Sequence, residues 1–84
     1  MSKQYFVYLL LCANESIYTG ITTDVERRFT EHQSGKLGAR FTRAAKPVRV
    51  LYREAHENRS LALKREAQIK KWPRAKKLAL VGSP

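Results

Sequence analysis

Tyr5-Phe6-Val7-Tyr8-Leu9-Leu10-Leu11-Cys12, then Ala13-Asn14-Glu15-Ser16, then Ile17-Tyr18-Thr19-Gly20-Ile21, is the stretch that decides the fold. The run from Tyr5 to Cys12 is aromatic and apolar without polar alternation, so a strand made of it has both faces covered. Ala13 to Ser16 is a turn signal. Residues 16–21 read as a second strand, and the two strands form a hairpin. Residues directly opposite each other across a hairpin share a face. A three-residue loop, Ala13-Asn14-Glu15, sets Leu10 opposite Tyr18 and Tyr8 diagonal to it. An even loop sends the two tyrosine rings to opposite faces.

The remaining elements follow outward from this hairpin. Thr22-Thr23-Asp24 opens a helix over about residues 24–33. Thr23 and Glu26 have capping-box spacing, and Gly35 is a stop. Val25, Arg28, Phe29 and His32 share one face of this helix. Residues 34–47 lack periodicity and read as a long loop, a feature that is functional or mobile in so small a domain. Residues 48–54 alternate as a third strand. Asn58 or Ser60 caps a second helix running to about Trp72, and Pro73 suits the first turn of a short third helix ending near Val81. The expected fold is α+β: a small three-stranded antiparallel sheet flanked by helices, in the order β-β-α-β-α-α, forming a single domain over residues 1–84.

At 84 residues the chain is too short for a large multi-domain enzyme or for a doubly wound dinucleotide fold. P-loop, H-E-x-x-H and G-x-S-x-G motifs are absent. Cys12 is the single cysteine, which excludes an intramolecular disulfide and a Cys-rich structural zinc site. It reads as a small core residue. A fold of this size without disulfides points to a reducing compartment, so the expected location is the cytoplasm. The longest apolar run, Phe6 to Cys12, is too short to span a membrane. Lysine and arginine number 17 against seven acids, for a formal charge of +10. Residues 1–35 carry three bases and four acids, whereas residues 36–84 carry fourteen bases and three acids. Such a field attracts polyanions, and a hydrophobic content of 43% marks a folded domain instead of a basic tail. Nucleic acid is therefore the expected partner, with no membrane and no organic cofactor.

Tyr8 and Tyr18 lie ten residues apart on paired strands, Arg28 follows ten residues later, and His32 comes one helical turn after that. Glu66 is the only acid in residues 58–84 and sits among Lys64, Arg65, Lys70 and Lys71. A carboxylate in that setting can hold a divalent cation while the bases hold phosphates, parts that suit metal-assisted phosphodiester cleavage. With these residues in place, Phe6-Val7-Tyr8 and Tyr18-Thr19-Gly20 resemble the paired motif of the GIY-YIG nuclease superfamily. Arg28, His32 and Glu66 fall at the spacing the family uses. The resemblance covers about residues 5–81 and is closest to small single-domain bacterial members. It also extends to the catalytic domain of excision-repair nucleases.

The resemblance implies an endonuclease acting on DNA ahead of RNA, with Mg²⁺ or Mn²⁺. Glu66 would bind the metal, and Tyr8 or Tyr18 would activate water or position the scissile phosphate. Arg28 would neutralise that phosphate, and His32 would join the proton-transfer network. A phenol with an ordinary pKa of ~10 needs positive charge beside it to act as a base, and Arg28 and the metal are the candidates. Phe6 stands where the motif has its first Gly, and no Asn follows Asn58 where family nucleases often carry one. That second departure keeps open an alternative: a nucleic-acid-binding module of the same fold with little or no catalysis. A third reading, an interaction protein for an acidic partner, requires that these residues not cluster.

Backbone contact falls to Lys36, Arg40 and Arg43 on the long loop, with Phe41 between them, and to Lys70 and Lys71 beside Trp72. Taken singly, each site residue has a plainer reading. Arg28 would pair with Asp24 and Glu66 with Lys70, at ~0.2–0.5 kcal/mol per pair. His56 reads as solvated, and Trp72 as a core anchor against Leu78 and Val81.

Overall fold

A computed structural model describes residues 4–34 and 46–82. The expected element order holds: β1 (Tyr5–Cys12), β2 (Ile17–Thr22), α1 (Val25–Ser34), β3 (Pro47–His56), α2 (Arg59–Lys70) and α3 (Arg74–Leu80). The sheet is antiparallel with strand order β2-β1-β3, so β1 is the central strand. This explains its unbroken apolar run. Val7 and Leu9 face α2, in a core with Ala62 and Ile69. Tyr8 and Leu10 face α1, in a second core with Val25. Leu9 and Leu10 are wholly buried on opposite faces, and truncating either to alanine costs about 2–5 kcal/mol.

The β1–β2 register pairs Leu10 with Tyr18 and Tyr8 with Gly20. Cys12 N–H donates to the Ser16 carbonyl, closing the three-residue loop Ala13-Asn14-Glu15. Glu15 takes φ 69°, the left-handed position that ends a loop of this length. The odd loop therefore puts Tyr8 and Tyr18 on one face.

Three boundaries differ from expectation for local reasons. Asp24, not Thr23, caps α1: its Oδ1 accepts from Arg27 N–H and its carbonyl accepts from Arg28 N–H. The Thr22 hydroxyl accepts from Asp24 N–H and fixes this choice. Strand β3 runs on to His56, because β1 offers it partners down to Tyr5. Asn58 caps α2 through Leu61 N–H, and Pro73 sits at the N-cap of α3, one place before the first turn. Cys12 is a buried free thiol, as expected. No described helix is long and apolar enough to cross a membrane.

Candidate functional site

The α1-facing side of the hairpin carries the two tyrosines. Tyr8 is 1% exposed, and its ring centroid lies 6.1 Å from that of Tyr18, tilted by 49°. Opposite Tyr8 stands Gly20. A Cβ built there would lie 2.6 Å from the Tyr8 hydroxyl oxygen and 2.9 Å from Tyr18 Cε2. The phenol rests directly on bare backbone, so the glycine of Tyr18-Thr19-Gly20 is a steric requirement.

Helix α1 closes the site from above. The buried Val25 and part-buried Phe29 hold it to the sheet, which turns Arg28 and His32 inward, as the shared stripe requires. His32 is 4% exposed, with Nε2 3.4 Å from the Tyr8 hydroxyl and its ring edge-on to Tyr18 at 5.2 Å between centroids. Arg28 does not pair with Asp24. Its Nε meets Glu31 Oε1 at 3.5 Å, while Arg27 takes the other oxygen at 3.3 Å.

Glu66 approaches from α2. It follows Ala62 by four residues and precedes Ile69 by three, the stripe that packs on the sheet. Its side chain is 16% exposed, and Lys70 Nζ lies 3.4 Å from Oε2. Glu66 and Arg28 both act electrostatically on the Tyr8 phenol, in opposite senses. Tyr8, Tyr18 and His32 are therefore in contact, and Arg28 and Glu66 lie near enough to act on the Tyr8 phenol.

Packing sets the protonation of this cluster. Burial first, then Tyr18 and Glu66, pushes the Tyr8 phenol far above its ordinary value, and Arg28 opposes them without prevailing. Without a metal, Tyr8 is a neutral hydroxyl throughout the neutral range, suited to donating or positioning and not to acting as a base. Burial and then Arg28 lower the pKa of His32 against the pull of Glu31, so its ring is neutral at pH 7. A neutral imidazole beside a protonated phenol can accept a proton.

The basic residues separate. Lys36, Arg40 and Arg43 lie outside the described residues. Lys71 is exposed at the C-cap of α2, whereas Lys70 is engaged with Glu66. Trp72 packs on the α2-side core beside Leu80, with Arg65 and Lys76 over its ring, while Leu78 is exposed.

His56 is not solvated. Its Nε2 lies 2.7 Å from Glu54, which also accepts from the Tyr52 hydroxyl at 2.7 Å and Arg65 Nε at 2.8 Å. Burial pushes the Glu54 carboxyl up, and the bonds from Tyr52, Arg65 and His56 outweigh it, leaving the pKa below the ordinary value. This network ties β3 to α2 at the residue before Glu66. Tyr52, Glu54 and His56 alternate along the strand, which is the signal that could have revealed it.

Among the described residues, no group of three or more His, Cys, Asp or Glu side chains could hold a metal ion. A single half-buried carboxylate suits Mg²⁺, which takes one or two protein carboxylates plus substrate phosphates and keeps several waters.

Comparison with known proteins adds the relationship. Residues 4–79 match the family described as the GIY-YIG catalytic domain. A UPF0213 protein of Syntrophus aciditrophicus is 49% identical over 81 residues, covering 96% of this chain and 92% of that protein. One from Staphylococcus aureus is 44% identical over 77 residues, covering 92% and 93%. Two solution NMR structures are each 42% identical and cover 93% of this chain and 82% of theirs. They are a UPF0213 protein from Bacillus halodurans, with a TM-score of 0.58, and a protein from E. faecalis, with 0.62.

Proposed function

This chain belongs to the GIY-YIG family of catalytic domains, with UPF0213 proteins as its relatives, and from that premise we propose a divalent-metal-dependent endonuclease that hydrolyses phosphodiester bonds in nucleic acid, DNA ahead of RNA. The observation that carries the reading is the Tyr8–Tyr18–His32 cluster seated on Gly20, with Arg28 and Glu66 acting on it from α1 and α2.

Each residue has a task its surroundings suit. Arg28 presents a guanidinium whose forked donors match a phosphate, and it holds the scissile group. Tyr8, kept protonated, donates its hydroxyl hydrogen to His32 Nε2 and accepts a hydrogen bond from the attacking water, which it fixes in place. His32, kept neutral, takes up the proton released as water attacks, through the Tyr8 hydroxyl beside its Nε2. Tyr18 walls the site and holds both rings in place. Glu66 is the residue that would hold the cation, which supplies charge withdrawal from the phosphate and eases deprotonation of water. The Lys70 pair on Glu66 is a half-exposed i,i+4 contact worth about 0.3–0.5 kcal/mol, so Lys70 would yield the carboxylate to a divalent cation at little cost. A cytoplasmic setting fits the free thiol of Cys12.

The binding-only alternative draws on that same Lys70 contact at the carboxylate. One panel separates the two. Single- and double-stranded DNA and RNA are incubated with Mg²⁺, Mn²⁺ or chelator, using wild type and Glu66→Ala. The nuclease reading expects metal-dependent fragments from wild type alone. Salt-dependent binding without fragments under any metal replaces it with the binding module.

A further inference from the structure

Arg28 stands between two grooves. One, of about 310 Å³, is lined by Thr22, Thr23, Asp24, Arg27, Arg28 and Glu31. Its cations are already answered, because Glu31 bonds both arginines and Asp24 accepts from the Arg27 backbone. The other, of about 410 Å³, is lined by Tyr5, Ile21, Thr22, Thr23, Arg28 and Arg59. No carboxylate lines it. Arg59, the first residue of α2, is exposed and bonds no other described residue. Arg28, already paired with Glu31, and Arg59, unpaired among the described residues, thus border one cavity that no carboxylate lines, beside the exposed Thr23.

We infer that this second groove is a phosphate subsite: it takes the strand phosphodiester next to the one at Arg28, with Arg59 as the second clamp. The inference rests on the nuclease reading, and it gives the substrate strand a direction, away from Asp24 and Glu31 and toward the N-terminus of α2. The chemistry is that of any phosphodiester backbone. Arginine serves it better than lysine because the planar fork bonds two phosphate oxygens at once. Arg59, with no carboxylate beside it in the groove, leaves a positive charge there for an anion to meet. Tyr5 adds a part-buried ring to the same wall, where a neighbouring sugar or base can rest.

The test is fluorescence anisotropy of a labelled 15-nucleotide single-stranded DNA, without metal, at several salt concentrations. Each phosphate contact adds about 0.7 to the slope of log K against log salt for a single strand. Arg59→Gln is expected to lower that slope by about 0.7, and hence to weaken binding about five-fold at 0.1 M salt relative to 1 M. Arg59→Lys keeps the slope, because the charge remains, but binds more weakly than wild type. Arg49→Gln is the control: Arg49 is exposed, bonds no described residue, and pairs in register with Leu11, at the far end of β1 from Tyr5. That is about 20 Å away at 3.3 Å per residue. It is expected to leave the slope unchanged. Equal losses for Arg59→Gln and Arg49→Gln, in a wild type that binds and cuts, overturn the subsite and leave the nuclease reading standing. A wild type that binds no oligonucleotide at low salt overturns both.

Discussion

Gly20→Ala tests how tightly the site is built. The added methyl would stand 2.6 Å from the Tyr8 hydroxyl oxygen, 2.7 Å from Cζ and 2.9 Å from Tyr18 Cε2. Comfortable contact begins at about 3.5 Å, so the phenol must withdraw by roughly 0.9 Å. It cannot swing into solvent, being 1% exposed and packed with Leu10 and Val25. It must tilt within a filled core, an overpacking that costs about 1–3 kcal/mol. At roughly 4–8 °C per kcal/mol for a domain of this size, melting falls by about 4–24 °C. The same tilt alters the 3.4 Å approach to His32 Nε2. A misplacement of about 1 Å at reacting groups costs on the order of 100-fold in rate. The assays are urea unfolding followed by circular dichroism and single-turnover cleavage by folded protein. Gly82→Ala serves as control: its Cβ meets nothing within 4 Å, although φ is +87°. That change costs about 1–2 kcal/mol of backbone strain, and the rate holds. A Gly20→Ala protein within about 0.5 kcal/mol and two-fold of wild type would refute the packing argument.

Other outcomes follow from the same geometry. Glu54→Gln leaves the Arg65 guanidinium and His56 facing a neutral amide in a part-buried setting, and should cost about 2 kcal/mol in urea unfolding; a loss under about 0.5 kcal/mol would mean the network contributes little. His32 has a folded-state pKa below its ordinary 6.5, so its neutral form is favoured by the fold. The linked stability is full above pH 6.5 and is lost as pH falls through the folded value. Cleavage should fall over that same acid range, and His32→Gln should flatten the stability limb while lowering the rate; an acid limb unchanged in the variant would remove His32 from the proton path. Glu54, whose pKa is also depressed, adds a separate loss beginning below pH 4.5, and Glu54→Gln should remove that lower limb alone.

The hairpin was legible because its information is local. Tyr5 to Cys12 has no polar break, and three turn residues fix the register, so the shared face of Tyr8 and Tyr18 follows by counting. The stripe of Val25, Arg28, Phe29 and His32 was legible for the same reason. Less legible was whatever depends on distant partners. Thr23 and Asp24 are both good caps, and only the Thr22 hydroxyl selects Asp24. The end of β3 is set by how far β1 reaches, and His56 is claimed by Glu54 in a network completed by Arg65 from α2. Arg59 drew no notice in the sequence because its meaning comes from standing across a groove from Arg28. The protonation state of Tyr8 was open for a similar reason. Burial competes there with Arg28, and only packing decides the outcome.

The central claim is that this cluster cuts phosphodiester bonds through a cation held at Glu66. The most direct measurement is single-turnover cleavage of end-labelled DNA by wild type and Glu66→Ala, in Mg²⁺ and in chelator, with both proteins shown to melt alike. The account predicts fragments only from wild type with Mg²⁺. Fragments that persist in chelator and in Glu66→Ala would contradict it.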